Sequence, residues 1–201
     1  MNDLLLATRN RDKVRELAAL LGDLPVAVRS LHDVEGIPEI EEDAETIEGN
    51  AIKKARVAFE RSGLPSLADD TGLEVGYLQG APGVYSSRYA GPGATYADNV
   101  KKLIRAMKGV PARRRNARFR CVMAFVSTGG VLEVAEGICP GVILEAPRGN
   151  GGFGYDPVFL PDGHQETFAE MDLATKNALS HRARAAKAVT PILARHFSGG
   201  R

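Results

Sequence analysis

Leu64-Pro65-Ser66-Leu67-Ala68-Asp69-Asp70-Thr71-Gly72-Leu73 sets an apolar run directly against two adjacent carboxylates and a Thr-Gly pair. The run reads as a short buried strand entered from a turn. Thr71-Gly72 is expected to bend the chain sharply, because glycine accepts positive φ at no steric cost. Leu73-Glu74-Val75 then resumes as strand. Carboxylates fixed at the end of a buried strand suit a hard cation such as Mg²⁺, or a base that must be aimed. The same residues also read as a strand end with a solvated acidic turn.

Upstream, the chain alternates strand and helix. Leu4-Leu5-Leu6-Ala7 is a continuous apolar run, expected as a buried strand. Val14, Leu17, Ala18 and Leu21 then fall at helical spacing, with Gly22 as the stop. The turn Thr8-Arg9-Asn10-Arg11-Asp12-Lys13 between them sits at a helix N-terminus, whose N–H groups and partial positive charge favour phosphate. Asn10 as a plain helix cap and Lys13 as a solvated lysine is the competing reading. Val26-Ala27-Val28 gives a second strand. The acidic run Glu39 to Glu48 leads into a helix with Ile47, Ala51, Ala55, Ala58 and Phe59 on one side, ending at Gly63. Small residues on that stripe point to close packing on a sheet. One acid of the run is placed to join Asp70 on a metal; Lys53, Lys54 and Arg56 serve either phosphate or solvent.

Downstream, strands dominate. Tyr96 to Met107 is helical, and Arg113-Arg114-Arg115 is expected as a solvated loop cluster. Phe119, Cys121, Met123 and Phe125 alternate as a half-buried strand. Gly129-Gly130 turns it into a hairpin with Val131 to Ala135, and Gly141 to Leu144 is a further short strand. Alternating ends around an antiparallel middle predict an α/β fold with a mixed sheet. Gly149-Asn150-Gly151-Gly152-Phe153-Gly154-Tyr155-Asp156-Pro157 formally contains Gly-x-Gly-x-x-Gly. A strand, not a helix, follows it, so it is not a dinucleotide fingerprint. It reads instead as a loop that admits a flat ligand beside Phe153, or as a hairpin loop with Phe153 in the core. Ser180 caps a final helix, and Pro191 is expected to kink or divide that helix. His181 and Arg182 in its first turn oppose the helix dipole, a conflict that hints at function.

Composition narrows the classes. The 201 residues are 44% hydrophobic and 25% charged, with a net charge of +1. That is enough chain for one large domain, and it gives no electrostatic reason for a nucleic-acid or membrane partner. Cys121 and Cys139 lie in apolar runs and read as buried thiols of a reducing cytoplasm. No run approaches a membrane span and the N-terminus shows no signal-peptide pattern, so a cytoplasmic location is expected.

Four stretches occur in order: Ala7-Thr8-x-Asn10-x-x-Lys13, Ala68-Asp69-Asp70-Thr71-Gly72-Leu73, Gly151-Gly152-Phe153-Gly154-Tyr155-Asp156-Pro157 and Ser180-His181-Arg182, with Asn50-Ala51-x-x-Lys54-Ala55 between the first two. From Leu4 to Leu193 the chain thereby resembles the inosine/xanthosine triphosphate pyrophosphatase family. The resemblance implies one domain with an elongated mixed sheet flanked by helices, in two lobes with a substrate cleft between them. It implies a homodimer and Mg²⁺-dependent hydrolysis of ITP, dITP or XTP to monophosphate and pyrophosphate, which keeps these nucleotides out of DNA and RNA. By motif, Asp70 is the proton acceptor and a metal ligand, with Glu42 as the second metal acid in preference to Glu48. Thr8, Arg9, Asn10, Arg11, Asp12 and Lys13 hold the triphosphate. Thr71, Phe153, Gly154, Tyr155, Asp156, Lys176, His181 and Arg182 match further substrate contacts. Arg9 stands where the family commonly has Gly, so its side chain must point away from the phosphates or add a contact to them. Base selection is expected from loop N–H groups and from His181 or Arg182, as donors to the six-position oxygen. The rival readings are a pyrophosphatase for modified pyrimidine nucleotides and a non-catalytic nucleotide sensor or RNA-binding domain.

Overall fold

The apolar N-terminal run is strand β1 (Asn2–Leu6) in the computed structural model, which describes residues 2–198. β1 pairs in parallel with β2 (Val26–Ser30) on one side and β3 (Ser66–Val75) on the other. Parallel neighbours need long crossovers. Helices α1 (Arg11–Leu20) and α2 (Ile47–Ser62) lie within the two connections. α2 starts at Thr46, whose side chain accepts the Gly49 N–H, and stops at Gly63 in the left-handed conformation (φ 69°). α1 ends at Leu20 with Leu21 as its C-cap, so Gly22 stands just past the cap as expected.

β3 differs from expectation. It runs unbroken through Asp69-Asp70-Thr71-Gly72, and no bend occurs there. The strand continues because Leu73 and Glu74 pair with Gly83 and Pro82 of the short antiparallel strand β4 (Pro82–Gly83), while Leu73 and Val75 enter an apolar core. The two aspartates therefore sit mid-strand, where successive side chains point to opposite faces.

Helix α3 (Tyr96–Ala106) follows, with a reciprocal cap between Thr95 and Asp98. β5 (Asn116–Val126) and β6 (Leu132–Ile143) are joined by a tight turn at Gly130, and β7 (Phe159–Pro161) pairs antiparallel with β6. The strand order is β2-β1-β3-β5-β6-β7, with β4 on β3: a mixed sheet, as the α/β reading requires. The two strands expected at 131–135 and 141–144 are one. Gly141 does not break β6 because β7 packs against it: a Cβ there would lie 2.4 Å from the Leu160 carbonyl oxygen. Helices α4 (Leu173–Leu179) and α5 (His181–Ser198) end the described chain. Pro191 does not divide α5, whose Ala185, Val189 and Leu193 are buried on both sides of it.

The chain forms two compact units. The first comprises residues up to Asp70, Cys121–Gly137 and the chain from Arg182 onward; the second comprises Thr71–Arg120 and Ile138–His181. Each has its own core. Leu4, Leu6, Leu17, Leu67, Phe125 and Val189 belong to the first, and Leu73, Leu103, Phe119, Phe159 and Phe168 to the second. Arg115 corrects the solvated-loop reading of its cluster. It is 4% exposed, and its guanidinium donates to the carbonyls of Met107 (2.8 Å), Ile143 (2.6 Å) and Leu144 (2.8 Å). Residues at a helix C-terminus leave carbonyls that need such donors, and Met107 closes α3.

Candidate active site

In the first unit, α1 begins at Asn10, whose Oδ1 accepts the N–H groups of Asp12 (3.0 Å) and Lys13 (3.2 Å). The capping reading of Asn10 is thus met. A phosphate at this end would compete with that cap for two N–H groups, with the helix dipole still in its favour. Thr8 Oγ1 accepts the Asn10 N–H at 3.2 Å. Arg9 turns away, donating to the carbonyls of Leu31 (3.2 Å) and Ile37 (2.7 Å). Arg11 is exposed, and Asp12 pairs with Arg15 at 3.2 Å.

Lys13 is not solvated: its Nζ lies 3.0 Å from Asp69 Oδ2. The same oxygen accepts Nη2 of Arg182 at 3.0 Å, and Arg182 Nη1 reaches Glu16 Oε2 at 2.7 Å. Asp69, Glu16 and Arg182 are all buried. On the other side of β3, Lys54 Nζ contacts Glu42 Oε1 at 2.6 Å and Asp70 Oδ1 at 3.1 Å. Asn50, one turn before Lys54 on α2, accepts the Ala44 N–H through Oδ1 (2.9 Å) and so ties down the segment that carries Glu42.

Four carboxylates here (Glu16, Glu42, Asp69, Asp70) meet three cations (Lys13, Lys54, Arg182). The titration behaviour follows. Burial would raise Asp69, but Lys13, Arg182 and Lys54 hold its carboxyl far below the usual range. Burial would also raise Glu42, and Lys54 with Lys13 keeps it below its ordinary value. For Asp70 burial wins: Lys54 and Lys13 pull it down, Glu42 pushes it up, and the net position is above the ordinary value. Of Glu42, Asp69 and Asp70, only Asp70 is raised on balance, a condition that suits a proton acceptor.

Among the described residues, no group of three His, Cys, Asp or Glu side chains is placed to hold a metal. Magnesium asks for less. It commonly takes one or two carboxylates and completes its shell with water and substrate phosphates. Glu42 and Asp70 are hard oxygen donors that converge on a single cationic nitrogen, so this pair fits such an ion.

In the second unit, the glycine-rich loop is shaped by close backbone approach. Gly149 (φ 81°) leaves no room for a Cβ, which would lie 2.5 Å from the Ala169 carbonyl. Asp156 organises the loop tip: its Oδ2 accepts the Phe153 N–H (2.9 Å) and the Lys176 ammonium (2.5 Å). That ammonium also lies 4.8 Å above the Phe153 ring centroid. Phe153 is half-buried, tilts against Tyr96 at 5.8 Å, and walls a cavity of about 560 Å³ with Tyr96, Val100, Ile104, Pro147 and Gly152. That volume is in the range of small-molecule sites. Gly154 (φ 63°) gives the loop a left-handed step, and Thr71 is half-buried on β3.

Three predicted contacts have other occupations. Tyr155 is buried and its hydroxyl donates to the Ser86 carbonyl at 2.9 Å, so it anchors the loop. His181 is buried, its ring stacked on Phe119 at 4.5 Å and 17°. Arg182 binds Asp69 and Glu16 as described, so its guanidinium is engaged by two carboxylates in this structure. The mild dipole conflict of the His-Arg pair is thereby resolved by a stacking partner and two carboxylates.

The sequence from residue 4 to residue 192 matches the model of the Ham1 family. The chain belongs to the Ham1 family. Relatives at this level include a dITP/XTP pyrophosphatase of Geobacter sulfurreducens, 51% identical over 185 residues, covering 92% of this chain and 93% of that one. A dITP/XTP pyrophosphatase of Desulforamulus reducens is 50% identical over 194 residues, 96% of each chain. Among solved structures, a HAM1 protein from Coxiella burnetii superposes with a TM-score of 0.86 at 41% identity, covering 96% of this chain and 98% of that one. The Staphylococcus aureus Ham1 protein gives 0.85 at 30% identity over 100% of both chains.

Lys54, Glu16 and Asp69 stand in the cluster without having been assigned from the sequence. For Lys54 a signal existed. It follows Asn50 by one helical turn and lies beside the Ala51-Ala55-Ala58 stripe, so a lysine there had to be buried against something acidic. Glu16 sits next to Leu17 on the buried side of α1 and one turn after Lys13.

Proposed function

We propose that this chain hydrolyses non-standard purine nucleoside triphosphates (ITP, dITP and XTP) to the monophosphate and pyrophosphate, as one pyrophosphatase domain, with Mg²⁺, as a cytoplasmic homodimer. The observation that carries this reading is the convergence of Asp70 of β3 and Glu42 on one cation, Lys54 of α2, with Lys13 of α1 near enough to act on both acids. Membership of the Ham1 family, with relatives named dITP/XTP pyrophosphatase, supports the substrate class.

In this reading, Asp70 and Glu42 would hold the metal, which would supply positive charge to the phosphate oxygens. Asp70, rigid within β3, takes the proton of the water that attacks the α-phosphorus, a kind of help that contributes about 10²–10⁴-fold. The α1 N-terminus with Thr8, Asn10 and Lys13 offsets charge on the departing pyrophosphate. Asp69 and Arg182 keep the Lys13 ammonium aimed. Phe153 offers its ring to the base, and Lys176 and Asp156 fix the loop that carries it. Loop N–H groups provide donors for the six-position oxygen of inosine and xanthosine, where adenosine has an amine. With Arg182 and His181 engaged elsewhere in the structure, these backbone donors take the larger share of base reading.

The test is product analysis across a panel of nucleoside triphosphates, with and without Mg²⁺. Pyrophosphate and monophosphate from ITP, dITP and XTP, with ATP and pyrimidine nucleotides far slower, is the expected pattern. Orthophosphate as the first product would overturn it. Glu42→Gln is expected to raise the Mg²⁺ concentration needed for half-maximal rate, and an unchanged titration would remove Glu42 from the ligand set. Phe153→Ala is expected to lower kcat/KM about tenfold for ITP and ATP alike, since ring stacking contributes roughly 1–3 kcal/mol per base and ignores base identity. A drop confined to ITP would instead mark Phe153 as a selectivity residue.

A further inference from the structure

Lys54 occupies the point at which Glu42 and Asp70 meet, with its ammonium 2.6 Å from one carboxylate and 3.1 Å from the other. It is 6% exposed and rises from α2, whose flanking Asn50, Ala51 and Ala55 are buried, so the helix that carries it is firmly seated. A divalent cation cannot take both carboxylates while that ammonium sits between them, because like charges at such distances repel strongly in a buried site. Yet Glu42 and Asp70 are two carboxylates sharing the one Lys54 ammonium, so the pair still attracts a cation. We propose that Lys54 is a resident counter-ion of the metal site: it keeps Glu42 and Asp70 together in the resting protein and excludes a bare divalent ion. It yields only when a triphosphate arrives, bringing its own negative charge for the ammonium to follow. The metal then enters with the nucleotide rather than before it. This inference rests on the reading of Glu42 and Asp70 as metal ligands.

The exchange is purely electrostatic. A dication replaces a monocation at two carboxylates, and the displaced ammonium finds phosphate oxygen in place of carboxylate oxygen. Coupling between two ligands of this kind usually amounts to roughly 5- to 150-fold in affinity. Lys54→Met keeps much of the side-chain bulk and removes the charge.

The experiment is a Mn²⁺ titration followed by calorimetry and by the electron paramagnetic signal of unbound Mn²⁺, with and without a non-hydrolysable α,β-imido inosine triphosphate, the Mn²⁺ chelated by the nucleotide itself being measured in protein-free titrations and subtracted. Wild type is expected to bind Mn²⁺ weakly alone and roughly 5- to 150-fold more tightly with the analogue. Lys54→Met is expected to bind Mn²⁺ without nucleotide more tightly than wild type does, by a factor in that range, and to lose most of the coupling. Its melting temperature should also rise with Mn²⁺ alone, where that of wild type stays put. If Lys54→Met does not fold, Lys54→Gln, which keeps a donor between the carboxylates, is read in the same way. Equal Mn²⁺ affinity of variant and wild type in the absence of nucleotide overturns the counter-ion role while leaving the metal ligands standing. No Mn²⁺ bound by wild type even with the analogue overturns both.

Discussion

Replacing Asp70 with Asn is expected to leave a folded protein with almost no turnover. The substitution keeps the shape of the side chain and its place in β3, so the strand and its neighbours stand. On the proposed mechanism it removes the charge that would draw in the metal and the carboxylate that would accept the proton of the attacking water. Loss of the base alone lowers the rate by about 10²–10⁴-fold, and loss of a metal ligand adds to this. Folding is expected to survive because the fold does not favour the ionised form of Asp70: burial holds it above its ordinary value even with Lys54 at 3.1 Å. Circular dichroism, a melting curve and kcat/KM for dITP check both halves. Wild-type turnover in Asp70→Asn would sink the assignment.

The second large effect is on stability. Arg182→Ala takes from Asp69 and Glu16 a guanidinium that is 1% exposed and bonds to both. Removing one partner of a buried ion pair typically costs about 3–5 kcal/mol, because a charge is left in low dielectric with its compensation gone. The pH dependence has a definite sign. A carboxyl depressed in the folded state contributes stability that is present above its unfolded value, near ~4, and is lost as pH falls through the folded value. Asp69 is such a group: burial would raise it, but Lys13 and then Arg182 hold it down. The gap between wild type and Arg182→Ala is therefore expected to be largest near neutrality and to narrow in acid below about pH 4. Urea unfolding of both proteins at neutral pH and at about pH 3 measures it. A gap that widens in acid would contradict the assignment of this stability to Asp69. The same variant separates two roles for the arginine. If it only holds Asp69 and Glu16, the ITP-to-ATP ratio of kcat/KM stays as in wild type. If it leaves them to read a base, the ratio narrows.

Much of the fold was legible because periodicity and punctuation agreed. Gly63 ends α2 in the left-handed conformation that its identity suggested, and the 96–107 periodicity became α3. What misled were glycines and a proline read as breaks. Gly72, Gly141 and Pro191 all lie inside continuous elements, because neighbouring strands or a buried helix face outweigh local preference. The site was half legible. The motif residues Asp70, Glu42 and Lys13 do meet charged partners within one unit, but which partners they meet depends on long-range placement that spacing does not encode. Asp69 and Arg182 are 113 positions apart in the chain, and Glu16 and Arg182 are 166 apart. The buried Arg115 escaped notice for the same reason, since its carbonyl partners come from α3 and the end of β6.

The central claim of the proposed mechanism is that water attacks the α-phosphorus, the atom at which Asp70 would aim it. Turnover of dITP in ¹⁸O-enriched water, with mass analysis of both products, tests it most directly. The account predicts label in the deoxyinosine monophosphate and none in pyrophosphate. Label in pyrophosphate would place the attack at the β-phosphorus and contradict it.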